Sequence, residues 1–475
     1  MCYSKIKELA NTLRNNTRGA GLLLFVMTFG TIAITMIVMG VAQYGLVEHQ
    51  ASLRIHDRDR AFHIAEAGVN YYRWHLAHAP NDFQDGTGIP GPYVHTYADK
   101  DGNTAGIFEL EITPPLPGTT VATIRSTGWI LSRPEVKRTI QVRVGYPALT
   151  DYVFVEDTNM RFSRTTEVHG KVHANSGIQF DGRTDALVRS ATTTYYDSLY
   201  GLWKPGIWGA GGPQEFWDFP VPSILFDSIT GDLTAIRTMA ENGGVYLRST
   251  GREGYRIVFL GNGVFALSRV ERRLCYQGDG YYRNLRRQWD SVCADYDPSR
   301  TVFLRNENIP ANGVIFVEDD VWVEGVVDRQ VTLAAGRLPA IPSQYREIYI
   351  SGNITYAERS SDDVLGLLAQ DDIIVPLNVP NNMEIDAAAL SQFNRIRRPY
   401  YRPIYPNALR NSLIFFGSQI SRLGGGWKVV NQSGQVISGF INTNHTYDGN
   451  LLYSPPPGFP VGDTYELISW EEVES

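Results

Sequence analysis

Between Arg18 and Glu48 the chain carries no charged residue. The stretch opens as Gly21-Leu22-Leu23-Leu24-Phe25-Val26-Met27 and continues through Ile32, Ile34, Ile37, Val38 and Val41. A helix of ~20 apolar residues spans a bilayer, so this segment is long enough to cross one. Lys5, Lys7, Arg14 and Arg18 precede it, opposed only by Glu8. That bias predicts a cytoplasmic N-terminus and transfer of the following chain across the membrane. The apolar region of a cleaved secretory signal is only ~7–15 residues, shorter than this one.

The helical pattern outlasts the apolar stretch. From Leu46 to Leu76 there is no proline, and Gly68 is the one glycine. Leu53, Ile55, Phe62, Ile64, Ala65, Val69, Tyr72 and Leu76 keep a helical spacing. Pro80 and Asp85-Gly86-Thr87-Gly88 end the pattern. The expectation is one helix over 20–80, on the order of 90 Å long.

A short basic leader, Arg18-Gly19-Ala20 and a long apolar helix resemble the signal class of type IV pilins and type II secretion pseudopilins. The run Arg60-Ala61-Phe62-His63-Ile64-Ala65-Glu66-Ala67-Gly68 is similar to the AxxxAEAG stretch of PilX-type minor pilins. The resemblance covers residues 14–80. It implies cleavage of a 1–19 leader by a prepilin peptidase after Gly19, leaving Ala20 first, with Gly21 as a second candidate. It also implies a helix that packs into a filament core, with Glu66 and Gly68 among its filament positions. Major pilins carry a glutamate five residues past the cut, where this chain has Leu24. A carboxylate in lipid is costly unless paired, so its absence implies a tip or initiating subunit. The implied partners are other pilins or pseudopilins, the inner-membrane assembly platform and the peptidase. The implied location is the bacterial inner membrane, with the head periplasmic or carried outside on a pilus.

Residues 81–150 read as a small antiparallel sheet. Ile107-Phe108-Glu109-Leu110-Glu111-Ile112 alternates as a half-buried strand does, and Val136–Val144 follows suit. Asp99-Lys100-Asp101-Gly102-Asn103 reads as a turn rather than a calcium loop, because no bidentate glutamate follows.

Residues 151–475 form a β-rich head. Gly313-Val314-Ile315-Phe316-Val317, Val331-Thr332-Leu333, Leu365-Gly366-Leu367-Leu368-Ala369 and Asp372-Ile373-Ile374-Val375 are short strands closed by turn residues. Such runs suit an irregular parallel β-helix or solenoid; a large β-sandwich is the alternative. The stretch at about 186–300 breaks the rhythm and reads as an insertion leaving the solenoid. It holds Cys275 and Cys293, expected to pair in an oxidising compartment. The fold class is therefore mainly β with one long N-terminal helix.

With a formal net charge of −7, the chain builds no basic stripe for nucleic acid. Arg283–Arg287 and Arg395–Arg402 are interrupted by aromatics and proline and read as solvated loops. Asp319-Asp320, Asp362-Asp363 and Asp371-Asp372 read as turn caps, since neighbours in a strand point to opposite faces. His169 and His173 lack a third metal ligand. No metal, cofactor or catalytic residue is expected. Trp203, Trp208, Trp217, Tyr281 and Tyr282 crowd the insertion together with Tyr195, Tyr196 and Tyr200. They form a possible surface for a glycan or protein ligand, unless they fill the insertion's own core. The function expected is a minor pilin-like subunit with an adhesive head. The alternatives are an anchored surface enzyme acting on glycans and an envelope protein that joins no filament.

Overall fold

The computed structural model describes residues 2–115, 121–145, 149–224, 226, 232–283, 286–431, 433–452, 454–459 and 466–473, with the side chains of 2–20, 149, 232, 280–288 and 466 left outside the description. Helix α1 (Cys2–His78) is continuous. Its apolar half is exposed all round from Leu22 to Val47. Its second half buries one stripe: Ala61, Ile64, Ala65, Val69, Tyr72 and Leu76. That spacing of three and four is one face of a helix.

The stripe lies on an antiparallel sheet of β1 (Tyr93–Ala98), β2 (Thr104–Thr113), β3 (Ala122–Ile130) and β4 (Arg133–Gly145). Phe108, Leu110, Ile124, Ile140 and Val142 alternate inward to meet it. Backbones approach closely here. A Cβ on Gly68 would lie 2.3 Å from Ser126 Oγ, and one on Gly128 would lie 2.3 Å from the Ala65 backbone nitrogen. The Asp99 carboxylate accepts N–H bonds from Asp101 and Asn103, both 2.9 Å, so this segment is a turn.

A fifth strand, Glu466–Val473, pairs antiparallel with β4. The head is therefore inserted within the small sheet and does not extend to residue 475 as expected. Sequence spacing could not reveal this, because the partner strands are separated by the whole head.

The head is a three-walled stack of mostly parallel strands rather than a sandwich. The first wall runs, in spatial order, through Val245–Leu247, Val314–Val317, Gln330–Ala335, Val364–Ala369, the ends of Asn382–Ser391 and Leu409–Ser421, Phe154–Glu156, Val172–Ala174, Val188–Ser190 and Trp217–Asp218. The chain thus enters the stack mid-length at Phe154–Glu156 and runs to one end. It then crosses to the far end at Val245–Leu247 and works back until Gln419–Ser421 pairs with Phe154–Glu156.

Residues 186–300 are accordingly not one excursion. Val188–Ser190, Trp217–Asp218 and Val245–Leu247 are rungs at the two ends, and Gly254–Leu260 pairs parallel with Asp320–Val326 on the second wall. The hairpins 194–205 and 273–296 and a crossover helix, Asp232–Glu241, interrupt the rhythm.

The crossover also explains the unbroken apolar runs. Val314–Val317 and Val364–Ala369 are buried at every residue. One side faces the solenoid core. The other is covered by Phe226, Leu233 and Ile236 of the crossover and by Leu451 and Phe459 near the C-terminus. Pro457 O accepts from Thr332 Oγ1 at 2.7 Å. Strands buried on both faces have no polar side to alternate with.

Candidate functional site

The structure gives the groups of residues singled out by the sequence separate roles. Gly19 and Ala20 lie on the α1 backbone, with side chains outside the described residues. Leu24 is 69% exposed on the apolar half. In the run Ala65-Glu66-Ala67-Gly68, Ala65 and Gly68 face the sheet while Glu66 faces solvent, 3.3 Å from His63 Nδ1. The small residues of that run thus seat the helix on its own sheet, and Glu66 is left on the outer surface.

The aromatic residues divide by position. Thr194–Asp197 and Leu202–Pro205 form a hairpin at one end of the solenoid. Its base is rigid. Trp208 Nε1 donates to the Tyr195 hydroxyl at 2.8 Å, and that hydroxyl donates to buried Asp197 at 3.1 Å. Asp197 also accepts from the Arg161 guanidinium and from the Leu199 N–H. Burial works against the Asp197 charge, yet the bond from Arg161 holds its carboxyl below the usual range. The Tyr195 ring fits only because residue 177 is glycine; a Cβ there would lie 1.9 Å from the ring.

The other face of the hairpin has no such cover. Tyr196 and Trp203 sit opposite each other across the strands with ring centroids 6.0 Å apart. Trp203 is 70% exposed, whereas Tyr200 lies against Trp208 with ring centroids 5.3 Å apart. Lys204 Nζ lies 4.3 Å from the Trp208 ring centroid. That uncovered face leaves Tyr196 and Trp203 exposed, while Lys204, opposite Tyr195, belongs to the base face. Trp217 is instead half-buried against the core beside Val188 and Ile207. Tyr281 and Tyr282 lie on the second hairpin, Arg273–Arg283 with Arg286–Tyr296, and their side chains are outside the described residues. Tyr196 belongs with Trp203, and only the hairpin register brings the two together.

The second hairpin carries a disulfide between Cys275 and Cys293. It packs on neighbouring rungs: Trp322 Nε1 donates to Ala294 O at 2.8 Å, and Asp295 accepts from Leu377 N at 3.0 Å.

The aspartate pairs cap and bridge neighbouring rungs. Asp319 accepts from Ser249 Oγ at 2.7 Å and Thr250 Oγ1 at 2.8 Å. Asp363 accepts from Glu358 N, and Asp371 from Asn394 Nδ2. Asp320, Glu347 and Asp372 do converge at one corner, where burial first and the charge of Asp320 second push the Glu347 carboxyl up to about 7. Arg273 and Arg397 occupy that corner, bonded to Asp320 and Asp372 respectively.

The stretch Arg395–Arg402 is not a solvated loop. Arg398 is buried and donates to Leu377 O at 3.2 Å and Asn407 O at 2.8 Å. Carbonyls left free at the wall's corner compensate the guanidinium. The side chains of 283–287 lie outside the described residues. His173 is buried and bonded to Asn175, while His169 pairs with Asp185, so the two histidines do not share a site. Among the described residues no group of three His, Cys, Asp or Glu side chains is placed to hold a metal ion.

No family model matches the chain, and no curated protein matches it. Among solved structures, the crystal structure of the competence-associated pilin ComZ from Thermus thermophilus is similar, with a TM-score of 0.30 and 12% identity over 88% of this chain and 97% of that one.

Proposed function

We propose that the chain is a minor pilin-like subunit whose α1 enters a filament and whose inserted solenoid is an adhesive head. The observation that carries this reading is the continuity of α1. One unbroken helix presents an apolar surface from Leu22 to Val47 and then buries Ala61, Ala65, Val69 and Tyr72 in the sheet. A simple anchor needs no rigid passage from lipid to sheet. A subunit that packs laterally against other helices does. The leader and the AEAG run add the PilX-type resemblance.

Leu24 supports a tip or initiating position, because no carboxylate stands there to pair with the terminal amine of a subunit above. The partners are other pilins or pseudopilins, the assembly platform and a prepilin peptidase. The N-terminus is cytoplasmic, following the basic residues ahead of the span. The ligand surface of the head is the hairpin patch of Tyr196 and Trp203, and no catalytic step is assigned to it.

The test is the mature N-terminus, read by mass spectrometry with and without a prepilin peptidase, together with recovery in sheared filaments. A peptidase-dependent start at Ala20 or Leu22 and recovery in filaments support the proposal. An intact Met1 under both conditions sinks it and leaves a signal-anchored surface protein.

A further inference from the structure

Among the described residues, the second wall is extended rather than capped at the end of the head opposite the aromatic hairpin. Beyond the parallel strand Gly254–Leu260, the second wall continues through two antiparallel strands, Val264–Val270 and then Thr301–Asn308. Thr301–Asn308 is bonded to Val264–Val270 on one side, and among the described residues no strand pairs with its other side. Its Val302, Phe303 and Leu304 are 42%, 60% and 39% exposed. Such an edge presents a row of free backbone donors and acceptors to another chain.

The direction of that row follows from its neighbours. Ile309 N donates inward to Gly263 O at 2.8 Å. Antiparallel ladders alternate residue by residue, so Arg305 and Glu307 also turn their backbone groups inward, while Asn306 and Asn308 turn theirs outward. Arg305 and Glu307 share one face of the strand and pair with each other at 2.7 Å. A bulge at Leu304, which has no partner between Leu267 and Ser268, bounds the regular segment.

We propose that this edge pairs antiparallel with the same edge of a second copy, about a two-fold axis through Asn306. In that register Asn306 faces its own counterpart and Leu304 faces Asn308. Arg305 of each copy faces Glu307 of the other, so the two charges exchange their partners within the chain for partners across the axis. Charge complementarity selects a second copy as the occupant, and it selects this register. An axis through Arg305 would set arginine against arginine, and one through Glu307 would set glutamate against glutamate, both unfavourable in directly opposed positions. An isologous contact of this kind closes as a dimer.

The test uses the full chain in detergent micelles with Cys2→Ser as background. Mild oxidation of the Asn306→Cys variant is expected to give a disulfide-linked dimer, with the Asn308→Cys variant giving much less. Adding Arg305→Glu to Asn306→Cys should abolish the dimer by setting glutamates opposite each other, and adding Glu307→Arg to that pair should restore it. Equal trapping at both cysteine positions, or no recovery on the charge swap, overturns the proposal. Arg305, Asn306 and Asn308 are exposed and Glu307 is half-exposed, and an unchanged melting profile confirms that each variant folds.

Discussion

Gly145, the last residue of β4, is paired with Glu466, the first residue of the C-terminal strand. Residues 146–465 therefore leave and re-enter the small sheet at adjacent points. The last strand also reaches the helix, with Trp470 and Phe62 ring centroids 5.8 Å apart, and its Glu472 is bonded to Arg138 of β4.

Truncation before Glu466 should leave β4 as a bare edge and uncover Phe62. Hydrogen exchange is expected to speed up in β4 and in residues 61–76 of α1, while the wall strands 364–369 stay protected. Unchanged protection in β4 would show that the strand is not part of the folded stem.

Gly128→Ala should destabilise the stem more than Gly68→Ala. The new methyl at 128 meets helix backbone at 2.3 and 2.5 Å, whereas at 68 it meets the Ser126 hydroxyl, which can rotate, before the Phe108 ring. Overpacking of this kind costs ~1–3 kcal/mol. In Gly68→Ala it is partly offset by the ~1 kcal/mol helix preference of alanine. Chemical unfolding followed by hydrogen exchange in α1 ranks the two, and the reverse order would refute the packing argument.

Reducing the Cys275–Cys293 bond should loosen its own hairpin only. The bridge closes a loop with a sequence separation of 18, for which restricting the unfolded chain is worth about 3 kcal/mol. Proteolysis with and without reductant should map new cuts to 273–296. Cuts spread through the walls would mean that the bridge holds the solenoid itself.

Glu156 sits where the chain enters the stack, and burial pushes its carboxyl up to about 8 despite the nearby charge of Arg395. An unfolded glutamate titrates near 4.5, its ordinary value here. The folded head binds this proton more tightly than the unfolded chain does. Its contribution is full below about pH 4.5 and is lost as pH rises to about 8. Melting temperatures of the Glu156→Gln variant should fall less than those of the wild type across that window. Parallel profiles would show that the carboxyl is solvated.

Trp203→Ala should change stability by less than ~0.5 kcal/mol, as exposed substitutions do, while weakening attachment of filaments that carry the head. Tyr195→Ala should unfold the hairpin, because Tyr195 links Trp208 to Asp197. Equal attachment by wild type and the Trp203→Ala variant would remove the hairpin as the ligand surface.

Much of the stem was legible because its signals are local. The uncharged stretch, the proline-free helix and the stripe from Ala61 to Leu76 each lie within one continuous segment. The alternation in Ile107–Ile112 is equally local, and so are the short closed runs of the solenoid. The aromatic surface was visible as a crowd of residues, yet its membership was not. Tyr195 and Tyr196 are neighbours in sequence, one buried and one exposed, and the pleat of a hairpin decides which.

The sequence alone determined that this chain has one long helix, apolar then amphipathic, followed by a small sheet and a stack of short strands. Periodicity and charge fix these features residue by residue. Only the tertiary structure decided the order of the stack. Gln419–Ser421 and Phe154–Glu156 are joined in one wall, and Glu466 returns to Gly145, although hundreds of residues separate each pair. Backbone hydrogen bonds between strands carry no side-chain signature of their partner, so which strand lies beside which is settled by closing the core, not by any segment taken by itself.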